Sequence, residues 1–152
     1  MLGATALDLG SVREGESFVA GSLSVTNDVV ADGFSEKLNA SLGAVSGNAV
    51  AGGAGVSLLG AGQVDGSGLS VGLSGTGTAG LKSGTARVDY VTDGTGTSGL
   101  GTLGVGNETV SVSGKVYRLA VGSVPASVTL ASVREGGAFA PVALSVGRCF
   151  AR

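Results

Sequence analysis

Leu9-Gly-Ser-Val-Arg-Glu-Gly-Glu-Ser-Phe-Val-Ala-Gly-Ser-Leu-Ser-Val25 returns near the C-terminus as Leu130-Ala-Ser-Val-Arg-Glu-Gly-Gly-Ala-Phe-Ala-Pro-Val-Ala-Leu-Ser-Val146. The offset from Leu9 to Leu130 is a constant 121 residues, and Leu, Ser-Val-Arg-Glu-Gly, Phe and Leu-Ser-Val recur in register. A repeat of that length is one structural unit followed by the start of another, rather than the short period of a solenoid. The expected division is a domain over residues 1–120 and a truncated second copy, with an atypical tail, over residues 121–152.

Outward from that stretch, apolar residues alternate with small polar ones, and no window carries the i, i+3, i+4, i+7 stripe of a helix. Ala6 to Val12 reads as a first strand, closed by a turn at Arg13-Glu-Gly-Glu16, and Phe18 to Thr26 as a second lying close to it. Asn27 to Gly33 is rich in turn formers. Lys37 to Leu42 alternates with Leu38, Ala40 and Leu42 inward, then enters a glycine-rich span from Gly43 to Gly55. Val56 to Leu59 is a short strand, and Gly68 to Ser74 turns Leu69, Val71 and Leu73 to one face. Gly84 to Thr92 places Ala86, Val88 and Tyr90 inward. Glu108 to Arg118 does the same with Val110, Val112 and Val116. Seven or eight short strands separated by turns predict an all-β, immunoglobulin-like antiparallel sandwich. In the second copy, Ser127 to Val133 and Phe139 to Val146 read as the opening strand pair of the next sandwich. Such a pair is marginal alone and invites self-association through its edges.

Composition narrows the function classes. Thirty glycines, no Trp and an apolar fraction dominated by Ala and Val give a modest core, at roughly 25 cal/mol per Å² of apolar surface buried. Nine basic against eleven acidic residues leave no basic stripe for a phosphate backbone, so nucleic acid is not an expected partner. No apolar run reaches the roughly 18–20 residues of a membrane helix. Met1 to Asp8 lacks the basic start and apolar run of a secretory signal, so export would need a signal outside this sequence. Cys149 is the sole cysteine, which excludes an intrachain disulfide.

Leu7-Asp-Leu-Gly-Ser-Val-Arg-Glu-Gly-Glu-Ser17 with Leu23-Ser-Val-Thr-Asn27 resembles the opening of immunoglobulin-like domains of the abnormal-spindle and hydin type. The whole span to Ala120 resembles bacterial exported repeat proteins of the choice-of-anchor D class. It does so through Asp32-Gly-Phe-Ser-Glu-Lys-Leu-Asn-Ala40, Lys82-Ser-Gly-Thr-Ala86, Ser98-Gly-Leu-Gly101 and Val110-Ser-Val-Ser-Gly-Lys-Val-Tyr-Arg118. That resemblance implies a secreted, cell-surface structural or adhesive module without shared catalytic residues. The second copy departs from the pattern at Gly147-Arg-Cys-Phe-Ala-Arg152, where Thr-Asn would follow Val146.

The residues that could carry chemistry give no catalytic, cofactor or metal assignment. Gly99-Leu-Gly-Thr-Leu-Gly104 fits the dinucleotide fingerprint, but no parallel strand precedes it and no helix follows, so it reads as a hairpin loop. The absence of His excludes Ser-His and Cys-His nucleophile pairs and His-based metal sites. Glu14 with Glu16 and Asp28 with Asp32 are the paired acids. A glycosidase would need such acids opposed across a cleft with aromatic sugar platforms, and here they read as solvated turn residues. Asp28 and Asp32 are hard ligands suited to calcium but lack the spaced Asp-x-Asp-x-Asp-Gly loop. Asn39-Ala-Ser41 and Asn107-Glu-Thr109 match the glycosylation sequon. Arg13-Glu-Gly15 and Arg134-Glu-Gly136 read as tight turns whose Gly supplies a positive φ. The functional expectation is a non-enzymatic module of a larger exported bacterial protein. A β-solenoid adhesin passenger is the alternative and a carboxylate glycosidase the third reading.

Overall fold

The computed structural model describes residues 1–148 and divides the chain into two compact units, Met1–Arg118 and Leu119–Arg152. The first unit is all-β. Its strands are β1 (Ala6–Arg13), β2 (Gly21–Thr26), β3 (Lys37–Gly47), β4 (Ala49–Gly52), β5 (Val56–Leu59), β6 (Val64–Leu73), β7 (Gly80–Asp93) and β8 (Thr102–Tyr117). They form a five-stranded sheet in the order β1-β8-β7-β3-β5 and a three-stranded sheet in the order β2-β6-β4.

One apolar cluster lies between the sheets, as a sandwich requires. β2, β4 and β6 contribute Leu23, Val25, Ala49, Leu69, Val71 and Leu73. β3, β5, β7 and β8 contribute Leu38, Ala40, Val56, Ala86, Val88, Tyr90, Val110, Val112 and Val116. The period-two alternation in the sequence picks out these faces, and Leu42 is the member left only partly buried. Phe18 precedes β2 yet belongs to the core, because its ring fills the notch that Gly114 leaves in β8: a Cβ there would lie 2.5 Å from the Phe18 ring.

Three features differ from the sequence reading. First, β1 and β2 belong to different sheets, and β1 pairs with β8 in parallel, Ala6 opposite Ser111 and Arg13 opposite Tyr117. The remaining ladders are antiparallel. The cause is that the N-terminal segment changes sheets. Met1–Gly3 lies against β2, with Leu2 bridged to Val25 and the Gly3 N–H donating to Ser24, before the chain crosses to β8. Second, the alternating strand does not end where the glycine-rich span begins. β3 continues to Gly47 through a bulge between Leu42 and Val45, and after Asn48 the chain enters β4 on the opposite sheet. Gly53–Gly55 then carry it back to pair with β3 as β5. At Gly53 (φ 96°) a Cβ would sit 2.2 Å from the Gly68 carbonyl oxygen, so the crossing needs glycine. Third, β6, β7 and β8 begin earlier than their alternation suggests; in β6 the register slips between Asp65 and Leu69, and in β8 a bulge opposite Tyr90/Val91 breaks the period and turns Val105 outward.

In the second unit, the segments expected as the next opening strand pair, 127–133 and 139–146, are without strand. The ladder there joins β9 (Gly122–Ser123) to β10 (Gly147–Arg148). The first unit explains this: β1 and β2 pair with β8 and β6, never with each other, and those partners shifted by 121 residues fall past residue 152. The intervening turn survives. Glu16 N–H donates to the Arg13 carbonyl at 3.0 Å and Gly137 N–H to the Arg134 carbonyl at 2.9 Å, with Gly15 and Gly136 at φ 86° and 79°. Of the atypical tail, residues 149–152, Cys149 among them, lie outside the described residues.

Candidate functional site: the loop end of the sandwich

Two loops meet at one end of the first unit, residues 27–36 between β2 and β3 and residues 94–101 between β7 and β8. Asn27 anchors the first. It is the buried polar side chain of the unit, donating to the Leu59 carbonyl at 2.9 Å and to the Glu36 carbonyl at 3.2 Å, while its backbone exchanges hydrogen bonds with Gln63 and Gly62. Within the loop, Asp32 accepts the Phe34 N–H at 3.0 Å across Gly33 (φ 88°), and this turn leaves the Phe34 ring 93% exposed.

Glu36 joins the two loops. Its carboxylate accepts hydrogen bonds from the Ser98 and Thr92 hydroxyls, which hold its pKa below the ordinary value. Beside it, Asp93 accepts from Thr95 and Asn39 and is lowered likewise. Asn39 also accepts the Leu58 N–H at 2.6 Å, within a bulge of β5 that puts Leu58 at φ 53°. The amide of the first sequon is thus engaged on both sides, whereas Asn107 of the second is exposed on β8.

Two cavities open at this end. One, of about 430 Å³, is lined by Val29, Phe34, Glu36, Lys37, Thr92 and Val105 among others. The other, of about 350 Å³, shares Asn27, Val29, Leu38 and Val105 with it and adds Met1, Asp28, Tyr90 and Glu108. The Tyr90 hydroxyl is buried without a hydrogen-bond partner among the described residues, and burial followed by the Glu108 charge pushes its pKa up to about 12. Glu108 uses Oε2 to accept the Leu2 N–H at 3.2 Å. A further concavity of about 500 Å³ lies over β1, β7 and β8, where Asp8, Ser83, Thr85, Ser111 and Ser113 line it.

The acids singled out in the sequence are separated by this geometry. Glu14 accepts the Ala79 N–H at 2.6 Å and lies 3.8 Å from the Arg118 guanidinium, and Glu16 accepts the Arg13 N–H at 3.0 Å. Glu14 is therefore a staple that fastens the first turn to the β6–β7 loop and to Arg118 just past β8, whereas the exposed Glu16 closes its own turn and is a solvated turn acid. Asp28 lines the smaller cavity and Asp32 caps its own loop; among the described residues no group of three or more His, Cys, Asp or Glu side chains is placed to hold a metal. Gly99–Gly104 spans the end of the β7–β8 loop and the first residues of β8, with no helix N-terminus beside it. Glu36, Glu108 and the Tyr90 hydroxyl were not evident in the sequence. Tyr90 alone carried a signal, since a phenol among core Ala, Val and Leu must find a polar partner or go without. No helix among the described residues is long and apolar enough to cross a membrane. The chain matches no family model, no curated protein and no solved structure among those compared.

Proposed function

We propose that residues 1–118 form an immunoglobulin-like structural or adhesive module of a larger exported bacterial surface protein built from repeats of the choice-of-anchor D kind. The supporting observation is the turn that recurs at the 121-residue offset with the same hydrogen bond and the same positive φ, in a second copy that lacks its sheet partners here. A turn that keeps its geometry without its sheet is a locally encoded repeat unit. The immunoglobulin-like reading is supported by the pairing of β2 with β6 on one sheet and of β3, β7 and β8 on the other, the arrangement of the B-E and C-F-G strands of that fold. It differs in that β4 precedes β5, the strand beside β3.

On this reading the chain does no chemistry of its own, and its surface and loops serve contact and spacing. Antibody against residues 1–118 tests the location. Protease added to intact producing cells should remove the epitope; an epitope that stays protected until the cells are lysed overturns the proposal.

A further inference from the structure

Met1–Gly3 forms a short ladder with β2 that ends at the loop end of the first unit. The Thr26 N–H donates to the Met1 carbonyl at 3.0 Å and the Met1 amino group to the Thr26 carbonyl at 2.9 Å. Leu2 lies opposite Val25, and the Gly3 N–H donates to the Ser24 carbonyl at 2.9 Å. This pattern is antiparallel, so hydrogen-bonded and non-bonded pairs alternate and opposite residues share a face. Its register projects past Met1 onto the loop. The position before Met1 falls opposite Asn27, the next opposite Asp28 and the third against Val29. Asp28, the next hydrogen-bonding position, makes no backbone hydrogen bond among the described residues. Phase fixes the side chains as well: Leu2 and Val25 face the core, so the first and third positions share that face and the second turns away. The ladder stops beside an apolar surface, where Val29, Phe34 and Val105 are exposed and Val29, Leu38 and Val105 line the smaller cavity.

The repeat supplies a segment with that pattern. The 121-residue offset puts Gly122 at the place of Met1, so Val121, Ala120 and Leu119 are the three positions before it. Val121 and Leu119 are the apolar pair that the core-facing positions require, and Ala120 takes the outward one. Leu119 and Val121 are each more than half exposed where they stand. The two ends of the unit also suit a head-to-tail succession. β8 runs from Thr102 at the loop end to Tyr117 beside Arg13, so Arg118 leaves at the end opposite Met1. We propose that the loop end receives a preceding copy of this unit, whose residues 119–121 add to Asn27–Val29 as a short strand continuous with Met1–Gly3. Ala120 exchanges backbone hydrogen bonds with Asp28, and Leu119 packs against Val29 and Val105. Donor and receiving surfaces differ, so the contact passes from copy to copy without closing. The inference rests on the repeat in the proposed module and not on export, so a protected epitope in intact cells leaves it standing.

The test places Arg-Leu-Ala-Val, the sequence of residues 118–121, directly before Met1 of the full chain. Amide exchange at Asp28, followed by NMR, should slow by at least about tenfold against the unextended chain, because a ladder hydrogen bond now protects it. The thermal midpoint should rise by about 2 °C or more. Nuclear Overhauser contacts should join the added leucine to the Val29 and Val105 methyl groups. An Arg-Ser-Ala-Ser extension keeps the length and the backbone but removes the apolar side chains, and it should give neither the rise in midpoint nor those contacts. Unchanged exchange at Asp28, equal gains from the two extensions, or an added leucine without contact to Val29 and Val105 would each overturn the proposal.

Discussion

Asn27 shows how one side chain fixes a loop in a core that has little bulk to spare. Its amide gives both protons to carbonyls of separate segments, so truncation leaves two acceptors unpaired in a partly buried place. Asn27→Ala is expected to lower stability by about 2–3 kcal/mol by denaturant unfolding. Asn27→Asp should cost more, because a carboxylate has no proton to offer either carbonyl. The acids of the same unit set a second expectation. Glu36, Asp65 and Asp93 are held below their ordinary pKa values by hydrogen bonds from Ser98 and Thr92, from the Gly68 and Ser67 amides, and from Thr95 and Asn39 respectively. A depressed carboxylate adds stability that is complete above its unfolded pKa and is lost as pH falls through its folded one. The thermal midpoint should therefore be level from pH 7 to about pH 5 and fall below the ordinary carboxylate range near pH 4. Glu36→Gln should make that fall shallower.

Among the elements, the sheet-changing segment Ala49–Leu59 is the most demanding. Gly53→Ala forces a Cβ against the Gly68 carbonyl and should cost upward of about 2 kcal/mol, whereas Gly66→Ala, with open space around it and an ordinary φ, should be tolerated. Comparing the two by thermal melting separates a required glycine from a merely permitted one. The same segment marks where the sequence stopped being legible. Alternation named the inward residues of β2, β3, β6, β7 and β8, because burial on one face of a sheet imposes a period of two whatever the topology. It said nothing about which strands pair. Ala49-Val-Ala-Gly52 and Val56-Ser-Leu-Leu59 are too short for a period and sit among glycines that serve turns and crossings alike. The partnership of β1 with β8 joins residues about a hundred apart, which no local pattern encodes. At the loop end, Asp28 and Asp32 were visible as acids in a turn. Glu36 just precedes β3 and Glu108 lies within β8, and both acquire meaning only once Ser98, Thr92 and Tyr90 are brought beside them.

For the whole molecule, the core of the first unit is drawn from residues 2–116 alone, so a 1–118 fragment should keep a single cooperative thermal transition and β-type circular dichroism. Residues Val128, Leu130, Val133, Phe139, Leu144 and Val146 of the second unit are 39% to 73% exposed. Exposed apolar segments without a sheet are association-prone, so sedimentation of the full chain should show concentration-dependent self-association that the 1–118 fragment lacks. A full chain that stays monomeric at high micromolar concentration would count against this.

The parallel pairing of the first strand with the last has a mechanical meaning. Drawn apart from Met1 and Arg118, β1 and β8 are pulled in opposite directions along their shared axis, and the hydrogen bonds between Ala6–Arg13 and Ser111–Tyr117 carry the load together. Gripped instead at Glu14 and Arg118, which meet at the same end of the ladder through the Glu14 N–H to Tyr117 carbonyl bond, the two strands would peel apart one bond at a time. A chain of such units tethered end to end would be stiff under tension along its length and weak to a sideways tug.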